Sequence, residues 1–84
     1  MSLGAYDAEH DRSRARLALR DAAARRAEAK LLRAEGKEET AAQMERWARD
    51  YSIAAARDIR SLRAREFPLG VSLEQLIAEH EWAL

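Results

Sequence analysis

The sequence predicts an all-α protein: a long antiparallel helical hairpin over residues 5–35 and 38–66, followed by a short third helix at about 73–82. Three observations carry this reading. Alanine supplies 19 of the 84 residues and is the strongest helix former. Two stretches of about thirty residues contain neither proline nor glycine. The breakers gather at two places, Gly36 and Phe67-Pro68-Leu69-Gly70, where a three-helix chain would turn.

The first helix is rich in Ala, Arg, Glu and Leu, with Asp7, Glu9 and Asp11 near its start and Arg33 near its end, an order that suits the helix dipole. A stripe at helical spacing runs through Tyr6, His10, Ser13, Leu17, Ala24, Ala27, Leu31 and Ala34. Leu17, Ala24 and Leu31 lie seven apart, as in a heptad seam, and Arg20 interrupts the seam. Gly36 sits where a left-handed cap would end the helix.

The second helix opens with Glu38 and Glu39. Its apolar stripe is Ala41, Met44, Ala48, Tyr51, Ala55, Ile59 and Leu62, widened by Trp47 and Ala54. These larger residues are expected to pack against an alanine-rich partner. Phe67-Pro68 is expected to end the helix, because proline disfavours helical geometry in the residue before it. Ser72-Leu73-Glu74-Gln75 then matches a capping box, with Val71 and Leu76 as its hydrophobic staple; Leu73, Leu76, Ile77 and His80 make an apolar face. Only a few residues join the two long helices, so they fold back antiparallel, and the third is expected to cross the open end of the hairpin. The segment from Leu32 to Ala48, with Gly36-Lys37-Glu38-Glu39 at its turn and Ala41 and Ala48 beyond, resembles the turn region of a tetratricopeptide unit. The resemblance covers about 17 residues and occurs once, between helices about twice the length that repeat uses. Gly36 as a plain helix stop explains it equally well.

Residues 1–84 read as a single domain with a thin core. Leu, Ile, Val and Phe together make up only 15 residues, yet 15 basic and 15 acidic residues cancel, which favours ordered helices over disorder. Burial yields roughly 25 cal/mol per Å² of apolar surface, and alanine offers little surface to bury. Small scaffolds of this kind gain stability by self-association. The chain has no cysteine, no apolar run long enough to span a bilayer and no signal-peptide pattern, so a cytoplasmic location and no membrane partner are expected.

No residue pattern points to catalysis, a metal or a cofactor. His10 and His80 lie outside any Glu-x-x-His unit and are expected to be partly buried packing residues; the serines lie in helices or at caps, and no glycine-rich loop follows a strand. An enzyme is not expected. Arginine is the richest chemistry, 13 of 15 basic residues. Arg46, Arg49, Arg57, Arg60 and Arg63 run along the second helix as a candidate nucleic-acid surface, against the alternative of a solvated face laced with ion pairs such as Glu45–Arg49. The first helix carries eight basic and six acidic residues and the second, with Lys37, seven and six, far from the excess of a dedicated nucleic-acid domain. Trp47 is expected in the core. Trp82, near the end of the chain, is the foremost candidate for an intermolecular contact, with Leu84, Leu17, Leu31 and Trp47 as further interface candidates.

The leading expectation is a non-enzymatic interaction and oligomerisation module that self-associates, as a dimer, through alanine-rich helix faces into a helical bundle and engages a protein partner. The alternatives are a small nucleic-acid-binding regulator using the arginine faces, and a toxin-neutralising or phage accessory protein that binds a larger protein.

Overall fold

The computed structural model describes the backbone of residues 3–80 and the side chains of residues 7–79. It contains three helices and, among the described residues, no strand: α1 (Leu3–Ala34), α2 (Glu38–Ala64) and α3 (Val71–His80). At 1.5 Å per residue α1 is about 48 Å long, nearly the whole 52 Å length of a rod only 19 Å across. α1 and α2 pack along their length as an antiparallel hairpin. α3 folds back beside α1 and makes no backbone approach to α2.

Both hairpin helices end in the same way. After α1, the Lys37 N–H donates to the Leu32 carbonyl at 2.9 Å and the Gly36 N–H to that of Arg33 at 3.1 Å. Gly36 holds φ +81, so the pattern is a Schellman cap with glycine at its left-handed position. After α2, the Phe67 N–H donates to Leu62 at 2.9 Å and the Glu66 N–H to Arg63 at 3.0 Å. Here the left-handed residue is Glu66, at φ 61. α2 therefore stops at Ala64, ahead of the Phe67-Pro68 pair expected to end it. α3 begins at Val71, two residues earlier than expected. The Glu74 N–H donates to the Gly70 carbonyl at 3.1 Å, which puts Gly70 rather than Ser72 at the cap. Val71 is 73% exposed, so no hydrophobic staple forms.

The core is a pair of heptads. On α1 the buried positions are Ala8, Ala15, Ala22 and Ala29, with Ala18 and Leu19 beside them. On α2 they are Ala41, Ala48, Ala55 and Leu62, with Met44, Ser52, Asp58 and Ile59. Both rows step by seven, and the antiparallel arrangement brings Ala15 and Ala55 into one cluster and Ala29 and Ala41 into another. The α2 stripe expected from the sequence is the one that packs, except that Trp47 and Ala54 lie outside it. The α1 stripe is not. Leu17, Ala24 and Leu31 point away from α2, Leu17 and Leu31 being 61% and 67% exposed. His10 is also exposed rather than packed.

Large apolar side chains collect at the two ends of this alanine seam. Leu19, Ile59, Leu62, Leu69 and Leu73 form a cluster at the open end, with Tyr51, Phe67, Leu76 and Ile77 against it. Ala29, Ala41 and Met44 form a smaller one near the turn, with Leu32. Between them Ser52 turns its hydroxyl back onto the Ala48 carbonyl at 2.6 Å, which lets a polar residue occupy a buried position.

The two caps make opposite predictions. A Cβ at Gly36 would meet open space, so Gly36→Ala is strained only by its φ and is expected to cost about 1 kcal/mol. Glu66→Gly relieves the same strain and is expected to stabilise by about 0.5–1 kcal/mol, a rise in Tm of roughly 2–8 °C. Thermal melts of the two variants check the pair of signs.

Candidate interaction surfaces

The open end of the hairpin is tied by an ionic network. Asp58, buried on α2, receives two bonds from Arg14 on α1, from Nη2 at 2.7 Å and Nε at 2.9 Å. Arg14 also reaches Asp11 at 2.9 Å, and Asp11 accepts a second bond from Arg65, just past the end of α2. The Arg65 guanidinium lies over the Phe67 ring, 5.4 Å from its centroid. Arg12 donates to the Pro68 carbonyl at 2.8 Å and to Glu9 at 3.0 Å. The start of α1 thus holds the end of α2 and the connector to α3. The Asp58 carboxylate raises the Arg14 pKa above the ordinary arginine value, its hydrogen bonds acting first and its charge second. Arg12 holds the exposed Glu9 carboxyl below its ordinary value; that small contribution is present above the unfolded carboxylate pKa and is lost as pH falls through the lowered one.

A second feature lies nearer the turn. Between α1 and α2 runs an open groove of about 530 Å³ lined by Arg26, Ala29, Lys30, Arg33, Ala34, Glu45 and Arg49. Arg33 pairs there with Glu38 at 2.9 Å and with Glu45. These two carboxylates, Glu45 before Glu38, raise its pKa further above the ordinary value. The expected Glu45–Arg49 pair is therefore not made, because Glu45 crosses to α1. Lys30 and Arg49 form no ion pair with any described residue.

The α2 arginines share one exposed side. Arg46, Arg49, Arg57 and Arg60 recur at spacings of three and four around half-exposed Ile53, and Arg63 continues the row. Arg46 bonds Gln43 at 2.7 Å, and the Arg60 Nε reaches the Ala56 carbonyl at 3.4 Å. None of the five forms an ion pair with a described residue. The ion pairs lie elsewhere, on Arg12, Arg14, Arg16, Arg25, Arg33, Lys37 and Arg65.

Trp47 is not a core residue. It is 41% exposed, with the Arg25 guanidinium 5.1 Å from its ring centroid. Alanine at 48 takes the seam position and leaves the indole at the edge. Leu17 and Leu31 lie on the outer face of α1, in line with exposed Ala24. Trp82 and Leu84 lie outside the described residues. Sequence reasoning missed Asp58 and Arg12; the available signal was that Asp58 stands between Ala55 and Leu62 on the buried row.

Among the described residues no group of three or more His, Cys, Asp or Glu side chains is placed to hold a metal ion, and no helix is long and apolar enough to cross a membrane. No protein-family model, no curated protein and no solved structure matches the chain.

The network's energetics are asymmetric. The Arg14 side chain is 56% exposed and that of Asp58 only 12%. Arg14→Met strands a buried carboxylate and is expected to cost about 2–3 kcal/mol. Asp58→Asn leaves a solvated guanidinium still bonded to Asp11 and is expected to cost about 1 kcal/mol. Urea denaturation of both variants tests that order; equal losses would contradict the account of burial.

Proposed function

We propose that this protein is a non-enzymatic interaction module that self-associates through the outer face of α1. One observation carries the reading. Leu17 and Leu31, each about two-thirds exposed, stand in line with Ala24 on the side of α1 that neither α2 nor the core uses. Leucines at heptad spacing on a solvated helix face stabilise nothing within the subunit, whereas against another helix they supply a seam. The thin alanine core supports the same reading, since a small scaffold gains most from further burial. Light scattering on a sizing column, over a hundredfold range of concentration, is expected to show a dimer that dissociates on dilution. Leu17→Lys with Leu31→Lys is expected to abolish it while leaving helix content unchanged, because both sites are exposed. Self-association that survives the double substitution would refute the assignment of this face.

A second reading has an observation of its own. The α2 arginines form no ion pair with a described carboxylate, and the row from Arg46 to Arg60 extends about 21 Å along the helix. That spacing suits the phosphates of a nucleic acid. Retention on RNA or DNA is then expected to fall steeply as salt rises, and Arg57→Ala with Arg60→Ala to flatten the slope by about 2. Absence of retention at low salt would remove this reading and leave the first untouched.

A further inference from the structure

α1 carries two heptads. The inner one, Ala8, Ala15, Ala22 and Ala29, packs on α2. The outer one has His10, Leu17, Ala24 and Leu31 at its a positions and Ser13, Arg20, Ala27 and Ala34 at its d positions. Its flanks are Glu9, Arg16, Ala23 and Lys30 at g, and Arg14, Asp21, Glu28 and Glu35 at e.

We propose that the outer face binds a second copy of the chain in parallel orientation, as a short two-stranded coiled coil through Leu17, Ala24 and Leu31. This rests on the self-association reading and adds its geometry. In a parallel pair each g residue meets the e residue five positions later on the other chain. Arg16 then meets the partner's Asp21, Lys30 meets the partner's Glu35, and Glu9 meets the partner's Arg14. Ala23 opposite Glu28 is neutral, so no like-signed pair arises at the flanks, and the one like-signed pair of the parallel arrangement is Arg20 against its own copy in the seam. In an antiparallel pair g meets g and e meets e. Centred on Ala24, that would set Arg16 against the partner's Lys30 and Asp21 against the partner's Glu28, two clashes that each occur twice by symmetry, against one attraction, Arg14 with the partner's Glu35. The order of charges favours the parallel arrangement.

The subunit leaves these groups available to different degrees. Asp21 and Lys30 form no ion pair with a described residue, whereas Glu35 pairs with Lys37 at 3.2 Å and Arg16 with Glu9 at 3.4 Å. Arg14 is already committed to Asp58, so Glu9–Arg14 adds least. Arg20 is the charged residue in the seam, where it faces its own copy; a polar core residue specifies register at a cost in affinity. With so few turns in contact the interface falls in the small, transient class, and the dimer is expected to dissociate on dilution.

The chain has no cysteine, which makes the orientation readable by cross-linking. Leu17→Cys, at an exposed site, is expected to form a disulfide-linked dimer on mild oxidation at concentrations where the wild type associates. Arg20→Leu is expected to lower the midpoint of dimerisation at least tenfold. If the Leu17→Cys chain cross-links only with a Leu31→Cys chain, the parallel arrangement is overturned and self-association through this face stands. If neither pairing cross-links although the wild type is dimeric, the proposed face is wrong. If the wild type and Arg20→Leu both remain monomeric at millimolar concentration, the self-association reading fails as well.

Discussion

The repeat of alanine every seven residues along both long helices is the constraint on which the rest of the structure depends. Ala15, Ala22 and Ala29 on α1 and Ala41, Ala48 and Ala55 on α2 are all buried to 2% exposure or less. Methyl groups on both sides let the helices approach closely, and anything larger in mid-seam would force them apart. Close approach has a physical cost. Each alanine pair removes little apolar area from water, so the middle of the hairpin is well packed but weakly driven together.

Stability is accordingly concentrated at the ends. The fully buried large side chains Leu19, Ile59, Leu62 and Leu73 all belong to the open-end cluster. The Arg14–Asp58 bridge and the Arg12–Pro68 bond lie at the same end. α3 belongs to this arrangement: Leu69 and Leu73 complete a cluster that two helices alone would leave open to water. At the other end the Gly36 cap, Met44 and the Arg33 pairs hold the turn.

The same geometry explains the free surfaces. Once α1 commits its alanine row to α2, its leucines at 17 and 31 must face outward, since they lie on the opposite side of the helix. Once Glu45 crosses to Arg33, Arg49 loses the partner that helical spacing would have given it. A net charge of zero thus conceals an arginine row on α2 that makes no ion pair among the described residues, and an ordered series of opposite charges along α1.

What the sequence determined by itself was whatever depends on neighbours along the chain. The number of helices, the stop at Gly36 and the burial of Met44, Ile59 and Leu62 were legible, because caps are local and these apolar residues of α2 recur on one stripe at helical spacing. The phase of α1 was not. Alanines lie on every side of that helix, and Leu17 and Leu31 mark the wrong face, so hydropathy could not orient it. Tertiary structure decided this, because only the facing alanine row of α2 shows which side permits close approach. It also decided the burial of Asp58 and the exposure of Trp47. These are set by contacts between residues distant in sequence, whereas the left-handed turn at Glu66, ahead of the proline that local rules would credit, is closed by bonds to Leu62 and Arg63 that no glycine marked.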